Sequence, residues 1–260
     1  MNTIKTKFHS TGEDTSQYVH AVKTQGFCLI KNWFTQEQVK EITEELESLY
    51  KRVPQGGSAV VEHAFQVTHG DFAQGKDLIL RPPAYSYIKN IQKYIMNSQP
   101  LNDVLDEHYG KGCQRFLQTF STMENTVVDK KDLARHSWMH VDPFASLKFA
   151  FFPYGSTAKT GALRVIPNSR QEGATIRQHF MKTENPLSKN PQGLRGGIAH
   201  RLIDFQKECP DLVTRREEEA VFIEASPCDL VIVDTDVYHT GGEMKEQNKT
   251  RMAVYIHNRP

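Results

Sequence analysis

Apolar positions in this 260-residue chain recur first at a helical period and later at a strand period. Thr15–Gln25 reads as a short, polar helix and Phe27–Lys31 as a strand. Thr35-Gln36-Glu37-Gln38 then offers a capping box, with Phe34 and Val39 placed to form a hydrophobic staple. Val39, Ile42, Leu46 and Leu49 fall on one stripe, which predicts an amphipathic helix packed on a sheet. Between Val53 and Arg81 no period is visible, and Gly56-Gly57 and Gly70-Asp71 mark turns, so this region is predicted to be irregular. Ala84, Ile88, Ile91 and Ile95 restore helical register after the Arg81-Pro82-Pro83 break. Leu101–Tyr109 gives another helix, stopped at Gly110.

From Cys113 onward, alternation takes over. Phe116–Met123, Leu147–Phe151, Gly161–Ile166, Ala220–Glu224 and Leu230–Asp234 read as strands. In the final run, Met252, Val254 and Ile256 share one face, while Arg251, Ala253, Tyr255 and His257 share the other. Short strands joined by Gly, Pro, Asn and Asp turns predict a sandwich or barrel. Residues 168–218 interrupt the pattern with a long polar insertion, with one helix expected near Ile198–Lys207. It is basic between Arg164 and Arg201. One reading is a solvated surface balanced by Glu217-Glu218-Glu219. The other is a lid that presents a cation such as Arg195 or Arg201 to an anionic group on a substrate.

Composition narrows the class. A net charge of +1 provides no field that would gather nucleic acid or an anionic membrane. Cys28, Cys113, Cys209 and Cys228 form no Cys-x-x-Cys, which argues against a zinc module or a disulfide framework and suits a reducing compartment. No leader and no apolar run of about 20 residues is visible. The expectation is a single cytoplasmic domain covering 1–260, acting on a small molecule.

The candidate chemistry lies in Trp138-Met139-His140-Val141-Asp142 and in the distant His239. On a strand, His140 and Asp142 project from the same face. Two imidazoles and one carboxylate occupy one face of an octahedral ferrous ion and leave three positions open. Arg251 lies near the start of an alternating strand, and its planar fork suits a bidentate carboxylate clamp. His63 and His69 compete as ligands but are not needed. Asp234 or Asp236 is a candidate to orient a ligating imidazole, with solvated turn residues as the plainer reading.

These pieces, with Gly26-Phe27-Cys28-Leu29-Ile30-Lys31-Asn32 and Gly161-Ala162-Leu163-Arg164-Val165-Ile166-Pro167-Asn168-Ser169, occur in the order and spacing of a known family. The chain resembles the phytanoyl-CoA dioxygenase-like family of Fe(II)/2-oxoglutarate-dependent oxygenases from about Gly26 to Ile256. It departs from the family's usual pattern at Asn168 and Arg170, at Cys228 and at Val141. The resemblance implies a mainly β fold with flanking helices around a double-stranded β-helix, the cupin-like jelly roll. It also implies Fe(II) on His140, Asp142 and His239, 2-oxoglutarate held by Arg251, and O2 as second cosubstrate. Trp138, Phe144, Phe149 and Tyr255 are then expected to screen the site from water, and Arg164 to border it.

The implied reaction is oxidation, foremost hydroxylation, of a C–H bond in a small metabolite such as an amino-acid or natural-product intermediate. A carboxylate at Asp142 disfavours halogenation. Desaturation, epoxidation and ring formation remain open at such a site. A zinc hydrolase or a non-redox binding module would use the same ligands, but a hydrolase has no need of a buried arginine facing the metal.

Overall fold

The structure, a computed structural model, describes residues 8–9, 14–51, 60–61, 65–68, 75–80, 82–111, 117–126, 139–183, 200–246 and 249–259. The first half runs β1 (Phe8–His9), α1 (Thr15–Gln25), β2 (Phe27–Lys31), α2 (Gln36–Lys51), β3 (Val60–Val61), β4 (Phe65–Thr68) and β5 (Gly75–Leu80). Next come a 3-10 segment (Pro82–Tyr87), α3 (Lys89–Ile91) continuing into a π-helical turn, α4 (Gln99–Tyr109) and β6 (Leu117–Thr126). The second half runs β7 (His140–Val141), β8 (Leu147–Phe151), β9 (Leu163–Val165), α5 (Arg170–Thr183), β10 (His200–Arg201) and α6 (Leu202–Glu208). It closes with β11 (Val221–Ile223), β12 (Leu230–Asp234), β13 (His239–Thr240) and β14 (Thr250–Arg259).

The predicted capping box forms. Gln38 N–H donates to the Thr35 hydroxyl at 3.2 Å, and Thr35 N–H donates back to the Gln38 side chain at 2.9 Å. Ahead of it, Asp14 caps α1 through Ser16 N–H at 3.1 Å, and α1 ends at Gly26 with φ 91°. A Cβ at Gly26 would lie 1.9 Å from the Val237 side chain, so the left-handed turn also brings two segments into close approach.

Among the described residues the strands form two sheets. The larger has nine strands in the order β1-β2-β12-β8-β14-β6-β5-β4-β3, and the smaller has five in the order β10-β7-β13-β9-β11. Buried side chains divide by strand parity. Cys28, Ile30, Phe149, Phe151, Leu230, Ile232, Met252, Val254 and Ile256 pack outward against α1, α2, α3 and α4. Phe27, Leu29, Ala150, Phe152, Val231, Val233, Ala253 and Tyr255 pack inward against Leu163, Val165, Val221 and Ile223 of the smaller sheet. A third cluster (Met139, Val141, Ile166, Ile176, Leu202, Phe205 and Tyr238) seats α5 and α6 on the far side of the smaller sheet. This is a mixed α/β fold of two facing sheets, and no closed barrel is present among the described residues. No described helix is long and apolar enough to cross a membrane.

Two expectations are corrected here. The stretch 53–81 is not irregular throughout. β5 pairs with β6 from Gly75↔Asn125 to Leu80↔Phe120, and β4 pairs with β5. Strands this short carry too few alternations to announce themselves and gain their order from the long β6 beside them. Nor is the beginning of 168–218 a loop. Arg170–Thr183 is a helix, and α6 covers only Leu202–Glu208. A Cβ at Gly173 would lie 1.9 Å from the Asp236 carbonyl, so the glycine lets α5 lie directly on the turn preceding His239.

Candidate metal centre

β7 and β13 are neighbours in the smaller sheet, with His239 opposite His140. Cross-strand partners project from the same face, and the two imidazole rings lie with centroids 4.7 Å apart. Asp142 follows β7 by one residue and is held by a bond from its N–H to the Thr235 carbonyl at 3.3 Å. Its Oδ1 lies 3.6 Å from His140 Nε2 and 3.5 Å from His239 Nε2. One donor atom from each of the three residues fits within a 4.8 Å span. His239 Nδ1 lies 2.9 Å from the Val237 carbonyl, an acceptor. The ring proton therefore belongs on Nδ1, which leaves the Nε2 lone pair free to accept a hydrogen bond or to bind a metal.

Lys148 completes the cluster and was not singled out from the sequence. Its Nζ lies 3.3 Å from Asp142 Oδ2 and donates to His239 Nε2 at 3.1 Å. Burial alone would raise the Asp142 carboxyl. The Lys148 ammonium, followed by the imidazoles, outweighs that and holds it well below the usual carboxylate range. Burial, reinforced by Lys148, lowers His239 to about 4. The same two causes lower His257, the β14 residue opposite Lys148, to about 3.

Arg251 lies on the same inward face of β14 as Tyr255 and is only 6% exposed. It donates to the Tyr255 hydroxyl at 3.2 Å and, more weakly, to the Gly242 carbonyl at 3.4 Å; its Nε finds no hydrogen-bond partner. Among the described residues no carboxylate pairs with it. The guanidinium passes so near Gly161, where φ is 86°, that a Cβ there would lie 3.1 Å from Nη1. A buried, incompletely satisfied guanidinium is costly without an anion, so the position fits the distal carboxylate of a dicarboxylic acid. Tyr255 lies between the two cations, its hydroxyl on Arg251 and its ring centroid 5.6 Å from Lys148 Nζ.

The remaining expected residues separate by face. Phe144, two residues beyond Asp142, is exposed, with the Arg259 guanidinium 4.7 Å over its ring. Phe149 is not beside the site: its parity sends it outward under the helices, and its neighbour Lys148 points inward. Arg164 is opposite Thr240, one register step from the Val165↔His239 pair, so it projects from the other face and pairs with Glu217 at 3.0 Å. Arg201 is opposite His140 in the backbone pairing of β10 with β7. Trp138, Arg195, His63 and His69 lie outside the described residues.

Asp234 and Asp236 are neither solvated nor oriented toward a ligand ring. Both are buried, with Asp234 paired to Arg170 and Asp236 to Arg177 at 2.7 Å. Backbone, not carboxylate, orients His239. The missed Lys148 did leave a signal: it is the one charged residue inside an otherwise apolar strand, Leu147-Lys148-Phe149-Ala150-Phe151.

Two imidazoles and a carboxylate converging between two sheets, with a buried guanidinium on the facing strand, define the 2-His-1-carboxylate class of metal site. The profile of the phytanoyl-CoA dioxygenase (PhyH) family matches residues 22–253. The chain belongs to this family of Fe(II)- and 2-oxoglutarate-dependent oxygenases. No curated protein sequence matches it. Among solved structures, it is similar in fold to the epimerase SnoN in complex with Fe3+, alpha ketoglutarate and nogalamycin RO. The TM-score is 0.59 at 11% identity, over 95% of this chain and 86% of that one. The carbocyclase SnoK from nogalamycin biosynthesis gives 0.59 at 14% identity, over 93% and 82%. HygX from Streptomyces hygroscopicus with nickel and 2-oxoglutarate bound gives 0.58 at 11% identity, over 95% and 88%.

Proposed function

We propose that the protein hydroxylates a C–H bond of a small metabolite, with Fe(II) held by His140, Asp142 and His239 and 2-oxoglutarate clamped by Arg251. The observation that carries this reading is the conjunction of three ligand atoms within 4.8 Å and a buried arginine with an unsatisfied Nε and no carboxylate partner among the described residues. We read the two facing sheets as the double-stranded β-helix expected from the family, and residues 1–260 as one catalytic domain.

Bound iron and 2-oxoglutarate supply oxidising power drawn from dioxygen and from decarboxylation of the cosubstrate. The protein supplies position. His239 is held in one tautomer by Val237, so its ligating nitrogen needs no reorientation. Asp142 stays ionised across the neutral range and offsets the ion's charge. Arg251 and Tyr255 fix the far end of the cosubstrate, and the apolar side chains of both sheets exclude water around it.

Two relatives in fold are described as an epimerase and a carbocyclase, so the identity of the product decides the outcome of this chain's own reaction. The test is anaerobic loading with Fe(II) and 2-oxoglutarate, followed by oxygen and a panel of small metabolites. Succinate formation stimulated by one of them, with a product heavier by one oxygen, is the expected result. Succinate formation with a desaturated, cyclised or epimerised product would replace hydroxylation. Zinc-dependent hydrolysis without consumption of 2-oxoglutarate would overturn the oxygenase reading.

A further inference from the structure

We propose that Lys148 is a positioning residue that binds the metal-proximal carboxylate of 2-oxoglutarate and so couples cosubstrate binding to metal binding. This rests on the reading above that the triad holds Fe(II) and that Arg251 takes the distal carboxylate.

Lys148 lies in β8 between the two strands it pairs with, opposite Val233 of β12 and His257 of β14. Its side chain projects toward the smaller sheet and the residue is 8% exposed, so its ammonium is committed to the space between the sheets. There it touches Asp142 Oδ2 at 3.3 Å and His239 Nε2 at 3.1 Å, two of the three groups that are to hold the metal. An ammonium and a divalent cation cannot share His239 Nε2, and a cation on Asp142 Oδ1, the oxygen facing the imidazoles, weakens the hold of Oδ2 on Lys148. Each repels the other, and each needs the same His239 lone pair.

Metal entry therefore takes His239 from Lys148 and draws on the charge of Asp142. Among the described residues the other inner-face neighbours of Lys148, the cross-strand His257 included, offer no anion. Ala150, Phe152, Val231 and Val233 of the inner face are apolar. Tyr255 presents a ring to the ammonium and its hydroxyl to Arg251. A buried ammonium without an anion is unfavourable. A dicarboxylate that arrives with the metal supplies the missing acceptor.

The two cations on the inner face of the larger sheet then serve its two ends. Arg251 is at one, Lys148 is beside the triad at the other, and Tyr255 lies between them. Lysine suits the inner position because it is a compact point charge on a flexible stem and can leave Asp142 without leaving the cavity. Linkage makes the coupling reciprocal: 2-oxoglutarate strengthens metal binding by the same factor as metal strengthens 2-oxoglutarate binding.

The test measures binding rather than turnover. Under anaerobic conditions, calorimetry would give the affinity for Fe(II) alone and for 2-oxoglutarate in the presence of Fe(II), in the wild type, Lys148→Met and Lys148→Arg. Methionine preserves length and removes the charge. Lys148→Met is expected to bind Fe(II) alone about tenfold more tightly and 2-oxoglutarate about tenfold more weakly, with Lys148→Arg restoring part of the cosubstrate affinity. Opposite signs distinguish this role from a structural one, which would weaken both.

Both affinities within about twofold of wild type, or both weakened, would overturn the proposal. Should Lys148→Met fail to fold, the wild-type structure with Mn(II) and 2-oxoglutarate decides. A Lys148 ammonium on a cosubstrate carboxylate supports the proposal, and one still on Asp142 or turned to solvent sinks it. A wild type that binds neither Fe(II) nor 2-oxoglutarate would instead remove the functional reading itself, and the proposal with it.

Discussion

The two faces of the larger sheet are made by the same strands and differ in almost everything else. Outward, Phe149, Phe151, Met252, Val254 and Ile256 join an apolar cluster with residues of the covering helices. Inward, the residues between them include Lys148, Arg251, Tyr255 and His257, each engaged with a polar or charged group or sensitive to one. A step of one residue along β8 or β14 therefore passes from an apolar packing position to a charged or polar one. Alternation does more here than separate core from solvent: both faces are buried, and what it separates is an apolar packing face from a face that carries charged and polar groups beside the triad.

The sharpest test of that division is to change each face alone. Removing a triad member, as in Asp142→Ala or His239→Ala, should abolish iron-dependent succinate formation while the protein still unfolds cooperatively. Retained turnover with bound iron in both variants would erase the site. On the outer face, Phe149→Ala should reduce stability to denaturant by about 3–5 kcal/mol. Its folded fraction should keep wild-type affinity for 2-oxoglutarate, and a selective loss of that affinity would mean the faces are not independent.

On the inner face, Arg251→Leu should weaken 2-oxoglutarate binding by tens- to thousands-fold, about 2–5 kcal/mol. Iron binding alone should be unchanged, and Arg251→Lys should rescue the cosubstrate only in part. Unchanged cosubstrate affinity in titrations of Arg251→Leu would assign the clamp to another cation.

The smallest effect expected is in pH dependence. His239 and His257 fall from 6.5 when unfolded to about 4 and about 3 when folded. The unfolded chain thus binds more protons below pH 6.5, so their contribution to stability is complete above that value and is lost as pH falls through the folded values. Burial, with Asp234 beside it, raises Asp236 to about 6, and this acts in the opposite sense, so part of the slope cancels. A net gain of about 3 kcal/mol from pH 4.5 to 7 is expected for the metal-free protein in urea. His257→Gln should flatten it. An unaltered slope would place the titrating groups elsewhere.

Much of this was legible in the sequence, and the failures have a common cause. The His140/Asp142 pair, the distant His239 and the two faces of Arg251–His257 follow from a period of two and from ligand chemistry, and the structure brings the three ligands together. The α2 capping box was readable because its partners are three residues apart. What depended on partners distant in sequence was not. Phe149 and Arg164 lie next to inward-facing positions, and only strand pairing tells which parity faces the site. The roles of Asp234 and Asp236 depend on Arg170 and Arg177, which arrive from a helix whose polar exterior concealed it.

The ten-residue β14 has a consequence for how the molecule assembles. It lies between β6 and β8 and supplies Arg251, yet its ties reach far back along the chain. The Tyr109–Asn258 and Leu147–Asn258 hydrogen bonds span 149 and 111 residues. Contacts of such long separation slow folding, because a large loop must close before they form. Until β14 inserts, β6 and β8 each keep an open edge, the kind of surface on which foreign strands add. Insertion of β14 would join those two edges and, in the same step, bring Arg251 to the inner face of the sheet.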